Sequence, residues 1–146
     1  MKRNFIIILL GVVVGAVGLV WALKKKESEF KKTDSGILYK IEQQGKGTRT
    51  PQTGELVQVH YTGWLDVDGK EGASFDSSVK RGTPFAFNVG LGHVIKGWDE
   101  TLKDMKEGEI RYIILPGQLA YGPQSVGTIP ANSTLRFRVE LLKIGQ

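Results

Sequence analysis

The chain holds few residues that can do conventional catalytic chemistry. Among its 146 residues there is no cysteine, and the two histidines are His60 and His93. Disulfides, thiolate nucleophiles and zinc sites built on Cys are thereby excluded, and two histidines are too few for a His-rich metal site. His60 with a distant Ser and Asp has the residue types of an acyl-transfer triad, but a single strand histidine is far more often a surface or hydrogen-bonded residue. Gly45-Lys46-Gly47-Thr48 does not satisfy the phosphate-loop pattern. Gly90-Leu91-Gly92 begins like a dinucleotide fingerprint, with its third glycine misplaced at Gly97. Neither a G-x-S-x-G elbow nor H-E-x-x-H is present. What remains is aromatic. Residues 36–146 carry ten of the thirteen aromatic side chains: Tyr39, Tyr61, Trp64, Phe75, Phe85, Phe87, Trp98, Tyr112, Tyr121 and Phe137. Most belong to a core. A small sheet under one short helix cannot seal them all, so some are expected to line a concave apolar pocket with a few polar tips.

Those rings need a frame. From Gly92 to Met105, Val94, Trp98, Leu102 and Met105 fall on one stripe while Lys96, Asp99, Glu100 and Lys103 take the other side, which predicts a helix. Alternating segments flank it. Ile37, Tyr39 and Ile41 alternate with Leu38, Lys40 and Glu42. Glu55 to Leu65 sets Val57, Val59 and Tyr61 against Gln58, His60 and Thr62. Ala73–Ser77 and Pro84–Val89 are short strands separated by Lys80-Arg81-Gly82-Thr83, and Ile110–Leu115 is stopped by Pro116-Gly117. Leu135, Phe137, Val139 and Leu141 alternate with Arg136, Arg138 and Glu140. Asp66–Gly72 and Gln118–Asn132 read as loops. One buried and one wet face per strand indicates an antiparallel sheet. A single helix among such strands must lie on the sheet, with Trp98 facing it. The fold class is α+β.

The amino-terminal flank is different. Phe5 to Leu23 is a run of 19 uncharged residues, bracketed by Lys2 and Arg3 before and Lys24–Lys26 after. As a helix it would span about 28 Å, close to the roughly 30 Å hydrocarbon core of a bilayer. Residues 1–23 are expected to be a transmembrane anchor or uncleaved signal sequence. Cleavage near Val20-Trp21-Ala22 is the competing reading, disfavoured by the length of the run. Residues 24–35 form a charged linker. Residues 1–35 carry seven basic and three acidic groups, a net +4, whereas 36–146 carry thirteen and twelve, a net +1. The basic balance therefore belongs to the flank, and no nucleic-acid partner is expected of the globular part.

Within 36–146, seven segments stand in one order: Val59-His60-Tyr61-Thr62-Gly63, Ser74-Phe75-Asp76-Ser77-Ser78, Pro84-Phe85-Ala86-Phe87, Val94-Ile95-Lys96-Gly97-Trp98, Leu119-Ala120-Tyr121-Gly122, Ile129-Pro130, and Leu135 to Leu142. Together they resemble the FKBP-type peptidyl-prolyl cis-trans isomerases. The resemblance implies a bent antiparallel β-sheet wrapped around one short α-helix, preceded here by a hydrophobic N-terminal helix. It implies a pocket between helix and sheet, with Trp98 as floor and Tyr61, Phe75, Phe85, Val94, Ile95, Ile129 and Phe137 as walls. Tyr121 would offer its hydroxyl to a substrate carbonyl, the Ile95 N–H would serve a second, and Asp76 would hydrogen-bond at the pocket edge. Of these, Tyr61, Phe75, Asp76, Tyr121 and Phe137 are expected to be catalytic; Phe85, Val94, Ile95, Trp98 and Ile129 are expected to bind substrate. No cofactor or metal is implied. The partners implied are proline-containing polypeptides and macrolide immunosuppressant inhibitors. The chain departs from the family pattern in a longer Leu65–Ala73 loop, a slightly shortened Gly122–Thr128 loop, and Ala131 where a second proline is common.

Three functions compete at this point: an active prolyl isomerase beside a membrane, a catalytically weak proline-peptide-binding or chaperone module of the same fold, and a tethered scaffold whose charged linker recruits partners. The lysines after the hydrophobic run favour a cytoplasmic domain by the positive-inside rule. Family members with such a segment are often extracytoplasmic, and that (periplasmic) side is preferred.

Overall fold

The computed structural model describes residues 29–146, with Gly18 alone before them. The expected anchor over 5–23 lies outside the described residues. Among the described residues no helix is long and apolar enough to cross a membrane. A compact unit runs Lys32–Gln146, beginning slightly before the expected boundary at 36.

In chain order the elements are β1 (Lys31–Lys32), β2 (Leu38–Gln43), β3 (Leu56–Val67), β4 (Lys70–Ser77), α1 (Ser78–Arg81), β5 (Phe85–Asn88), α2 (Lys96–Lys103), β6 (Ile110–Leu115), a 3-10 turn (Gly117–Leu119) and β7 (Leu135–Ile144). From β2 onward the strand order is β2-β6-β7-β3-β4, with β5 paired to the first half of β3. All of these pairings are antiparallel. Strand β3 is the spine, because its inward side chains Val57, Val59 and Tyr61 are buried and it pairs with three neighbours. The inward residues of β7, Leu135, Phe137, Val139 and Leu141, are buried against it.

The expected loop at Asp66–Gly72 is instead a continuous hairpin. Strand β3 runs to Val67 and β4 starts at Lys70, with Val67 opposite Lys70 and Asp66 opposite Glu71. Asp68 and Gly69 have φ of 51° and 78°. Positive φ at both central residues is the geometry of a two-residue hairpin turn, and Asp-Gly is a sequence that adopts it. The polar residues that suggested a loop are partners on the outer face: Arg136 pairs with Asp66, and the Tyr112 hydroxyl donates to Glu71 at 2.9 Å. Burial pushes the Tyr112 hydroxyl up to about 12, against a hydrogen bond from Arg136 that lowers it, so it stays protonated and donating.

Helix α2 is shorter than expected, eight residues rather than the span from Gly92 to Met105. Trp98 and Leu102 keep their places on its buried face, whereas Val94 precedes the helix and Met105 follows it. The start is fixed by the Asp99 carboxylate, which accepts from the N–H groups of Gly90 and Gly92 at 2.8 and 2.9 Å and folds the preceding loop back onto the helix. The end is fixed from the sheet: the buried Arg111 guanidinium pairs with Glu109 and Asp104 and donates to the Asp104 carbonyl at 3.3 Å. Gly97 lets α2 sit directly on β6, since a Cβ there would lie 2.5 Å from Leu115 Cδ2.

The segment Lys80–Thr83, expected only as a connection, ends the short helix α1. The Ser77 side chain caps its start by accepting from the Lys80 N–H at 3.2 Å, and Gly82 closes it in the left-handed conformation.

One surface contact makes stability respond to acid. Both Glu55 carboxylate oxygens accept from Arg49, at 2.6 and 2.9 Å, and one also accepts from the Gln52 N–H at 2.8 Å. The hydrogen bonds from Arg49, then that from Gln52, hold the Glu55 carboxyl down at about 2. A folded-state value below the unfolded one stabilises the protein above the ordinary carboxylate range, and the effect is lost as pH falls through about 2. The difference in urea midpoint between the wild type and Glu55→Gln is therefore expected to shrink steadily from about pH 6 to pH 2; a constant difference would remove Glu55 from the acid response.

Candidate active site

Helix α2 crosses the inner sheet face and leaves a cavity of about 380 Å³ between its amino-terminal end and strands β3, β4, β5 and β7. That volume suits a small ligand or a few peptide residues. Its floor is Trp98, 4 % exposed. Tyr61 meets the indole edge-on at 4.7 Å and 82°, and Phe137 does so at 5.4 Å and 80°. Phe75 stands edge-on to Phe137 at 5.6 Å and 89°, and Phe85 lies 6.0 Å from Tyr61. Ring contacts hold Tyr61, Phe85, Trp98 and Phe137 each against at least two others, and Phe75 against Phe137, so the walls are preformed. Gly63 makes room for two of them: a Cβ there would come within 2.6 Å of Phe75 and 2.8 Å of Phe137. Trp98 Nε1 is the one buried side-chain polar atom among the described residues without a hydrogen-bond partner. The floor is thus surrounded by rings, and its one polar atom, the indole N–H, has no acceptor among the described residues.

The polar side of the cavity is Asp76. Its carboxylate accepts from the Tyr61 hydroxyl and pairs with Arg81, while Arg81 also donates to the Tyr61 oxygen at 3.2 Å. Burial pushes the Asp76 carboxyl up, but the hydrogen bonds from Tyr61 and Arg81 outweigh it and hold the group below the usual carboxylate range. Burial, followed by the bond to Asp76, raises the Tyr61 hydroxyl. Burial also raises Tyr121, reinforced by the charge on Asp76. At neutral pH the site therefore holds an ionised, already paired carboxylate and two protonated phenols. None of the three is poised to exchange a proton.

Two further donors have no partner among the described residues. The Ile95 backbone lies extended just before α2 (φ −58°, ψ 147°), with its carbonyl accepting from Trp98 and Asp99. No described residue accepts from the Ile95 N–H. The Tyr121 hydroxyl, which also lines the cavity, likewise has no partner among the described residues. After Tyr121 the chain forms a small flap in which Val126 and Ile129 exchange two backbone hydrogen bonds at 3.0 and 2.9 Å.

Comparison with known proteins converges on this architecture. A family profile described as FKBP-type peptidyl-prolyl cis-trans isomerase matches residues 47–142. The chain belongs to that family. It is 52% identical over 101 residues to "FK506-binding protein 1" of Saccharomyces cerevisiae, covering 68% of this chain and 85% of that one. It is 46% identical over 113 residues to "Peptidyl-prolyl cis-trans isomerase FKBP4" of Mus musculus, covering 77% of this chain and 24% of that one. The crystal structure of FkpA from Escherichia coli superposes with a TM-score of 0.70 at 33% identity, covering 99% of this chain and 74% of that one. The chain is thus a peptidyl-prolyl cis-trans isomerase by family.

The isomerase brings nine of the ten expected site residues to one cavity: Tyr61, Phe75, Asp76, Phe85, Val94, Ile95, Trp98, Tyr121 and Phe137. The tenth, Ile129, is 5 % exposed and packs in the core without lining the cavity. It anchors the flap rather than forming a wall. Two residues of the site went unrecognised in the sequence. His93 lines the cavity, and Arg81 neutralises Asp76. Arg81 had a faint signal, since the four-residue α1 returns it over Asp76 five positions back.

His60 has a structural role. Its Nδ1 lies 2.9 Å from the Ser78 hydroxyl, which is fully buried and accepts from the Tyr61 N–H at 2.8 Å. A hydroxyl so enclosed cannot attack a substrate. Ser78→Ala of the isomerase is expected to cost about 1–3 kcal/mol, because it leaves a buried N–H unsatisfied. A urea midpoint unchanged from wild type would refute this.

Proposed function

We propose that the aromatic cavity is where this isomerase turns the X–Pro bond, and that it does so without acid, base or metal. The observation that carries the proposal is a ring-lined cavity at which the Ile95 N–H and the Tyr121 hydroxyl have no partner among the described residues. An amide resists rotation because resonance gives its C–N bond partial double-bond character, with a barrier of about 18–20 kcal/mol. Uncatalysed X–Pro exchange takes about tens to hundreds of seconds. Twisting the bond removes the resonance and reduces the charge separation of the amide. A water-poor aromatic surround therefore disfavours the planar ground state relative to the twisted state. Donors aimed at flanking carbonyls hold the chain on either side while the bond turns, so they bind the twisted form better. A reduction of about 7 kcal/mol would give roughly a 10⁵-fold acceleration.

In this reading Trp98 supports the proline ring, Phe75, Phe85 and Phe137 exclude water, and Tyr61 is held by Asp76 and Arg81. The substrates are proline-containing segments of unfolded or flexible chains. The uncharged run 5–23, flanked by lysine and arginine, supports a role near a membrane; the extracytoplasmic side is preferred by analogy with family members that carry such a segment, against the lysine bias, and accessibility of a carboxy-terminal tag on intact cells decides between the two sides.

The site is tested by competition. Exchange of a Leu-Pro peptide should be accelerated by the protein and blocked by one equivalent of the macrolide FK506, in keeping with the name of the yeast relative. A folded protein that gives no acceleration would support a binding module instead. Acceleration that persists with the cavity occupied would place turnover elsewhere.

A further inference from the structure

His93 is the cavity-lining residue to which nothing above gives a task. Its imidazole is exposed and lines the cavity beside Val94 and Ile95. It has no hydrogen-bond, ion-pair or ring partner among the described residues. Its backbone is nevertheless held in place, because the Gly90 and Gly92 N–H groups just before it are fixed on the Asp99 carboxylate. A polar side chain set on a rigid loop at the mouth of an apolar cavity, with no internal partner, is available to what enters.

The charges around it define what that is. From β4 comes Asp76, whose charge is matched by Arg81 of α1. From β3 and from the segment after β6 come Tyr61 and Tyr121, both neutral phenols. On its own side of the cavity, Lys96 is exposed, and Asp99 is engaged by the loop. With Asp76 and Arg81 cancelling, the cavity lining carries no uncompensated charge while His93 is neutral and one positive charge when it is protonated.

We propose that His93 is a specificity-determining residue that favours substrates with a carboxylate side chain flanking the proline, the preference strengthening as the imidazole becomes charged. This rests on the reading of the cavity as the site of isomerisation. Histidine is the side chain that ordinarily changes charge between about pH 5 and 8, a range in which a glutamate in a short peptide stays ionised. An exposed ion pair is worth little, so the effect is one of selectivity: about a three-fold change in relative kcat/KM.

The test uses blocked peptides carrying Glu or Gln directly before the proline, and a second pair carrying them directly after. The ratio of kcat/KM for Glu over Gln is measured at about pH 5.5 and pH 8. For one of the two positions the ratio is expected to rise about three-fold on acidification. In His93→Gln that rise should vanish, and because the readout is a ratio, any general loss of activity cancels. Equal ratios at both pH values for both pairs would overturn the proposal, as would a rise that survives in His93→Gln. A Leu-Pro peptide is run alongside with FK506. If its turnover is blocked while the Glu-to-Gln ratio stays flat, His93 alone is refuted. If its turnover survives FK506, the cavity itself is refuted.

Discussion

Phe75→Ala is expected to lower kcat/KM on a Leu-Pro peptide by about thirty-fold while leaving the protein folded. Phe75 lies near the end of β4 and is only half-buried, and its ring meets Phe137 edge-on. Truncation removes one wall of the cavity and opens the bound amide to water. Losing an aromatic contact of this kind, together with the apolar area it covers, is worth about 2 kcal/mol. Because the ring sits at the edge of the core, its loss should cost less stability than loss of a fully buried one. The check is steady-state exchange kinetics beside a urea titration of the same preparation. A folded Phe75→Ala protein with unchanged kcat/KM would exclude the ring from the site.

Trp98→Ala should have the larger effect and a double one. The indole is 4 % exposed and contacts Tyr61, Phe85, Phe87 and Phe137. Emptying that position is expected to cost about 3–5 kcal/mol of stability. Exchange activity should fall below detection, because the floor against which the proline packs has gone. Trp98→Phe separates the two consequences. It retains much of the core volume and most of the stability, yet it lowers the floor. Activity should therefore drop in Trp98→Phe by more than its urea midpoint suggests. Equal activity of wild type and Trp98→Phe would show that the indole is core alone.

The sequence made the periodic parts of this fold readable. The alternation in β3 and β7 and the stripe through Trp98 and Leu102 each reflect a face that must be buried, and each reappears in the structure. The hairpin at Asp66–Gly72 was misjudged because polarity was taken as a sign of a loop. On the outer face of a sheet, Asp66 and Glu71 are strand residues whose partners, Arg136 and Tyr112, lie 70 and 41 positions away. No local pattern contains such pairings, although Asp68-Gly69 did carry the turn signal. The helix boundary failed for a similar reason: Val94 fits the stripe, but the Asp99 carboxylate draws the residues before it into a loop. The buried Arg111–Glu109 pair that fastens the end of α2 was equally silent, since an alternating strand pattern gives no reason to turn a charge inward.

The site followed the same rule. Its aromatic residues were legible as an excess of rings over what a small core can enclose, and the order of seven segments assigned them together. Ile129 packs in the core and is not among the residues lining the cavity, and its position in the motif does not distinguish a wall from an anchor behind the wall. His93 and Arg81 escaped notice because their roles depend on what stands across the cavity. Arg81 matters because Asp76 is there to be neutralised, and the role proposed for His93 turns on its having no partner among the described residues.

The most direct measurement of the central claim is an amide and indole NMR titration of the isotopically labelled protein with a Leu-Pro peptide under turnover. The account predicts the largest shifts at the Ile95 amide, the Trp98 indole and the residues around Tyr121, with cis–trans exchange of the peptide seen in the bound state. Turnover of the peptide accompanied by shifts confined to the outer sheet face, with Ile95 and Trp98 unmoved, would contradict it.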